Sequence, residues 1–158
     1  MDIRAITKNE LLKKIVYKKL AKEYGLVVGS SNLMTDLEKR IVIDKEKNQS
    51  SLARIAKIKD LIKQGKTFEE VKKYSDEFES GVYMKNDLAQ EKFGRLIIYL
   101  SEGQISDILV SGNGYYLIKK NNQNNNLINI SYIFIKATTL DDYVNNELSN
   151  LNVLSLVD

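Results

Sequence analysis

Between Gly65 and Lys120 two stretches of helical spacing run into a hairpin signal, and this order constrains the fold more than any other feature of the chain. Thr67 to Glu70 reads T-x-x-E, a capping box that opens a short helix with Phe68, Val71 and Tyr74 inward. Gly81 to Asp87 has no clear period and is expected to be irregular, and Leu88 to Leu100 returns to helical spacing with Phe93, Leu96, Ile97 and Leu100 on one face. Ile108 to Val110 and Tyr115 to Lys119 then read as strands around Ser111-Gly112-Asn113-Gly114. An Asn-Gly step between apolar runs is a strong hairpin signal because both residues tolerate positive φ.

The flanks extend this pattern. Thr7 to Glu10 is another capping box, placed before Leu12, Val16, Leu20 and Tyr24, with Leu11 and Ile15 beside them. Lys13, Lys14, Lys18 and Lys22 fall mostly outside that stripe and read as a solvated face, and Gly25 ends the helix. A second helix is expected on Leu33, Leu37 and Ile41, capped by Ser30, Ser31 or Asn32, and a third on Leu52, Ile55, Ile58 and Ile62, stopping at Gly65. The two can also be one interrupted helix, and Arg40 to Asp44 (RIVID) is β-branched enough to be a short strand. After a polar run at Asn121 to Asn126, expected as a solvated loop, Ile128 to Lys136 (INISYIFIK) reads as a strand. Thr139 to Ser149 reads as a helix, and Val153 to Val157 as an additional edge strand.

Composition narrows the chemistry. The 158 residues carry 24 basic and 21 acidic side chains, a balance that does not suggest nucleic acid. With neither histidine nor cysteine, the chain has no disulfide framework, no thiol nucleophile and poor means for a zinc site or a Ser-His triad. No metal and no cofactor is therefore expected.

The phrases GKTFEEVKKYSDE, EKFGRLIIYLSEGQISDIL and SGNGYYLIKK resemble the parvulin family of peptidyl-prolyl isomerases. That family reads roughly G-x-x-F-x-E-x-A-x-x-Y-S-D, then F-x-x-A-x-x-x-L-x-x-G-x-I-S, then a G-Y-H-I-I-K strand. The resemblance implies an α+β fold, a parvulin-like four-stranded antiparallel sheet flanked by helices, with an N-terminal helical extension. Residues 1–50 would form a helical region similar to the chaperone part of SurA-like foldases, and residues 51–158 the parvulin-like domain. The family's first strand, S-H-I-L-V-K, has no counterpart ahead of Phe68; its likeness is Ser131 to Lys136 (SYIFIK). A circular rearrangement is expected, with the strand at 128–136 in the first-strand slot; the alternative is an added edge there, with RIVID in the slot.

Carried over by position, the first-strand histidine falls on Tyr132, the last-strand histidine on Tyr116, and the Cys or Asp after Y-S-D near Glu77. The aromatic wall of the proline pocket falls on Phe93, the Met or Leu one turn before it on Ala89 or Leu88, and the Ser or Thr before the last strand on Ser111 or Asn113. If the rearrangement holds, Tyr116 and Tyr132 are close enough to hydrogen-bond to each other. The function implied is a foldase or chaperone module that binds unfolded or extended polypeptide, its isomerase activity weak or lost. An active peptidyl-prolyl cis-trans isomerase and a structural protein that keeps only the fold are the alternatives. By the same resemblance the protein would act outside the cytoplasm, any membrane anchor lying outside this sequence.

Overall fold

The computed structural model describes the backbone of residues 3–157 and the side chains of residues 8–151. The chain forms two compact units, one of residues 1–44 with 138–158 and the other Lys45–Ala137.

The first unit packs helices α1 (Ile3–Tyr24), α2 (Leu33–Ile43) and α6 (Leu140–Val157) against one another. Its core is Val16, Leu20 and Ala21 from α1, Leu37, Ile41 and Val42 from α2, and Leu140, Val144 and Leu148 from α6. Three expectations are corrected here. Because α1 starts at Ile3, Thr7 lies inside the helix and does not cap it; its side chain falls outside the described residues. Residues 40–43 are the last turn of α2 and not a strand, since burying Ile41 and Val42 beside Leu37 outweighs their β-branched preference. Residues 153–157 continue α6 and add no edge strand. The end of α1 is tied to the end of α2 by the Tyr24 hydroxyl, which donates to Asp44 Oδ2 at 2.7 Å.

The second unit is α+β. Helix α3 (Gln49–Lys63) is separate from α2 and is followed by the single turn α4 (Phe68–Val71) and a 3-10 turn at Lys72–Tyr74. Thr67 caps α4, its side-chain oxygen accepting from the Glu70 N–H at 3.2 Å. Four strands follow: β1 (Glu77–Lys85), β2 (Leu109–Val110), β3 (Gly114–Gln123) and β4 (Leu127–Lys136). Between β1 and β2 the chain forms α5 (Asn86–Phe93) and a 3-10 segment, Arg95–Tyr99. Gly94 separates them at φ 95°, so the helix expected to reach Leu100 breaks after Phe93.

All strand pairs are antiparallel in the order β1-β4-β3-β2. The strand at 128–136 is thus interior, beside β3, and is not an added edge. Both sheet faces are covered. Helix α3 crosses β3 and β4, while Ala89, Phe93 and Ile97 pack with Ile118, Ile128 and Ile130 on the face shared by even-numbered β3 and β4 residues. With helical segments packed on each face, β4 reads as a nearly continuous buried run from Ile128 to Ile135, Tyr132 alone being half-buried.

Two local expectations also change. Residues 81–85 belong to β1, whose ladder is interrupted by a bulge between Glu79 and Val82 at Gly81, φ 70°. A buried polar group holds that bulge: the Ser131 hydroxyl accepts from the Gly81 N–H at 3.2 Å, and Asn121 donates to Asn129 Oδ1 at 2.8 Å and to Ser131 Oγ at 2.9 Å. Asn121 to Gln123 are the end of β3, leaving only residues 124–126 as the turn.

Candidate functional site

Strand register assembles one aromatic cluster on the α5 side of the sheet. Tyr116 on β3 stands opposite Phe134 on β4, and Ile118 stands opposite Tyr132, so Tyr116 and Tyr132 are diagonal neighbours on one face. Their rings meet edge-on, centroids 5.5 Å apart at 71°. Phe93, on the last turn of α5, closes the group at 5.2 Å from Tyr116 and 6.2 Å from Tyr132. Phe134 lies 4.7 Å from Tyr116 on the other side. Edge-to-face contacts of this kind add attraction beyond the area they bury, because the electropositive ring edge meets the electron-rich face.

Charge borders the rings. On β1, Glu77 pairs with Phe134 and Glu79 with Tyr132, which puts both carboxylates on the same face as the phenols. Lys92 sits over Phe93 and Tyr132, its Nζ 5.2 and 5.7 Å from the ring centroids. Burial pushes the Tyr116 phenol above the usual tyrosine range, helped by Tyr132 and Glu77. Tyr132 is raised in the same way, by burial first and then by Glu79 and Glu77. Both hydroxyls are therefore un-ionised donors at neutral pH, set in a half-buried aromatic floor.

Of the residues singled out by sequence, Tyr116, Tyr132, Phe93 and Glu77 come together here, and Ala89 is buried in the same cluster. The tyrosine rings touch, and no hydrogen bond joins their hydroxyls. Leu88 is exposed on α5. Ser111 is engaged in its own turn: its Oγ accepts from the Gly114 N–H at 3.2 Å and donates to the Gly114 carbonyl at 3.1 Å. Asn113 is exposed, and its carbonyl accepts from the Ala137 N–H at 2.9 Å. Phe134, Glu79 and Lys92 were not foreseen. The period of two from Tyr132 signals Phe134, whereas Glu79 is placed by its register with β4, and Lys92, next to Phe93 on α5, by the packing of that helix on the sheet.

Behind the cluster, Lys120 is buried and its Nζ donates to the carbonyls of Ile98 and Leu100, both at 2.7 Å. These bonds hold the end of the 3-10 segment against β3. Ile97, from the same segment, also lines a pit of about 150 Å³ with Leu96, Leu100, Ile105 and Leu109. Among the described residues no group of three or more acidic side chains converges to hold a metal ion.

No family model matches this chain, nor does any curated protein or solved structure.

Proposed function

We propose that the second unit is a parvulin-like peptide-binding module, a foldase or chaperone part that takes unfolded or extended polypeptide and has weak or no isomerase activity. One observation carries this function: the cluster of Phe93, Tyr116 and Tyr132, three positions assigned from the family phrases and drawn from α5, β3 and β4 onto one sheet face. The interior place of β4, beside β3, supports it, because the rearranged chain needs the SYIFIK strand inside the sheet.

The chemistry follows from the side chains. A proline or other apolar residue lying on the aromatic floor gains burial, and a neutral phenol can donate to its backbone carbonyl. Isomerisation requires more, since the twisted amide must be favoured over both planar forms against a barrier of ~18–20 kcal/mol. Phenols offer O–H donors and no ring-nitrogen acceptor, so they replace the family's histidine network in part only. The two raised phenols are also the observation that favours the second reading, an active isomerase using tyrosine donors. Action outside the cytoplasm belongs to the proposal through the SurA-like resemblance.

NMR exchange spectroscopy on a short Xaa-Pro peptide tests both. Peptide-dependent shifts at Phe93, Tyr116 and Tyr132 without exchange peaks are expected. Exchange peaks seen only with protein would make it an isomerase. Absence of shifts with proline peptides and with an unfolded apolar client would overturn the proposal and leave a fold put to structural use.

A further inference from the structure

Helix α1 has two unlike sides. Val16, Leu20 and Ala21 are buried, whereas Leu11 and Ile15, neighbours at i and i+4, remain 56% and 58% exposed. The sequence grouped them with the core stripe, but the helical period carries them to the opposite side of the helix. Around this pair stand lysines, all exposed: Lys8 three residues before Leu11, Lys14 three after it, Lys18 and Lys19 three and four after Ile15, and Lys22 four after Lys18. Between Lys8 and Lys22 the chain has six lysines and a single glutamate, Glu10.

A merely solvated helix face interleaves opposite charges at i, i+4, because like charges at that spacing repel. Here Glu10 and Glu23 stand four residues from Lys14 and Lys19 at the two ends, while Lys14, Lys18 and Lys22 follow one another at i, i+4 with no carboxylate between them on that row. Among the described residues no ion pair joins Lys8, Lys14, Lys18, Lys19 or Lys22 to a carboxylate. The result is an exposed aliphatic pair centred in a field of one sign.

We propose that this face of α1 docks on an anionic lipid bilayer surface, the helix lying in the plane of the headgroups. Leu11 and Ile15 enter the acyl boundary, and the long lysine stems extend to place their ammonium groups among lipid phosphates. Among the described residues no helix is long and apolar enough to cross a membrane, which fits α1 lying on the surface. Lipid fits better than nucleic acid, since between Lys8 and Lys22 the face carries neither an arginine fork nor an aromatic ring to grip phosphates and bases. It fits better than an acidic polypeptide because the apolar pair stands at the middle of the charge. This docking is independent of the peptide-binding function of the second unit.

Sedimentation of the full chain with vesicles tests it, using phosphatidylcholine alone and phosphatidylcholine mixed with phosphatidylglycerol. Binding to the mixed vesicles only, weakened by added salt, is expected. The triple variant Lys8→Gln, Lys18→Gln, Lys22→Gln should lose affinity by on the order of a hundredfold. Leu11→Ser with Ile15→Ser should lose about tenfold. Every substituted side chain is exposed, so circular dichroism and melting should match the parent, and Leu11→Ala with Ile15→Ala provides a helix-favouring second version. Failure to bind mixed vesicles, or binding that ignores the lysine changes, overturns the proposal. Binding that survives loss of both aliphatic side chains also overturns it, as does their irrelevance alongside full displacement by soluble polyglutamate, which would assign the face to an acidic polypeptide.

Discussion

Gly114 opens β3 opposite Lys136, where β3 and β4 approach closely. Its φ is outside the left-handed region, so an alanine there meets a problem of space and not of backbone strain. The new Cβ would stand 2.2 Å from the Ile135 carbonyl oxygen, and 2.8 and 2.9 Å from Cε2 and Cζ of Phe134. Ordinary contact begins at 3.4 Å, leaving a shortfall of 3.4 − 2.2 = 1.2 Å against the carbonyl. The phenyl ring can turn aside; the carbonyl belongs to an interior strand held on both edges. Overpacking costs ~1–3 kcal/mol, and lengthening one ladder hydrogen bond adds ~1 kcal/mol. We expect Gly114→Ala to destabilise the second unit by about 3 kcal/mol, which for a domain of roughly ninety residues lowers Tm by on the order of 15 °C. Urea unfolding followed by circular dichroism and tyrosine emission reads this directly, with Gly112→Ala as the control because its Cβ would meet nothing within 4 Å. Displacing Phe134 also disturbs its 4.7 Å contact with Tyr116, so peptide-induced shifts should weaken in parallel. A Gly114→Ala protein melting within ~2 °C of the parent would refute the close approach on which this reasoning depends.

Lys120→Met leaves the Ile98 and Leu100 carbonyls without their donor; it should cost ~1–3 kcal/mol and speed amide exchange in the Arg95–Tyr99 segment, measured by hydrogen exchange. Asp76 is held below the usual aspartate range: burial raises it, but the Arg54 side-chain bond and the Lys136 N–H outweigh that. The stability it contributes is present above the usual value near 3.8 and lost as pH falls through the lower folded value, so Asp76→Asn should flatten the acid limb of an unfolding curve and cost about 1 kcal/mol at neutral pH. For Tyr116 and Tyr132 the direction reverses. The unfolded phenol ionises first, near 10.0, so stability falls as pH rises from there through the raised folded values, and the double Phe variant should shrink the late part of the ultraviolet phenolate titration, leaving the share of Tyr17, which is raised too.

Features set by neighbours along the chain were legible in the sequence. Thr67 caps α4 because its partner is three residues away, and Gly25 and Gly65 stop helices by taking positive φ. The SYIFIK strand could be read because burial on both faces leaves a nearly unbroken apolar run. Strand β1 was hidden for the opposite reason. Its exposed, glycine-interrupted sequence has little preference of its own, and it is extended because β4 supplies the ladder. The stretch Arg40 to Ile43 misled because β-branched residues were weighed locally, while the helix they join is fixed by burial against α1 and α6. In the site, the family phrases pointed to Phe93, Ala89, Tyr116, Tyr132 and Glu77, which lie together, and to Leu88, Ser111 and Asn113, which do not; Glu79 depended on register with β4 and Lys92 on the packing of α5.

The interior position of β4 bears on the order in which the protein is made. A chain emerging from the ribosome presents β1 long before its strand partner β4, since the paired residues Lys85↔Leu127 and Glu77↔Phe134 are separated by 127 − 85 = 42 and 134 − 77 = 57 positions. The helical unit waits as well, because α6 follows β4 and completes the group begun by α1 and α2. The second unit cannot close cotranslationally before β4 is out, nor the helical unit before α6, so apolar helices and a lone edge stay uncovered through a long interval of synthesis.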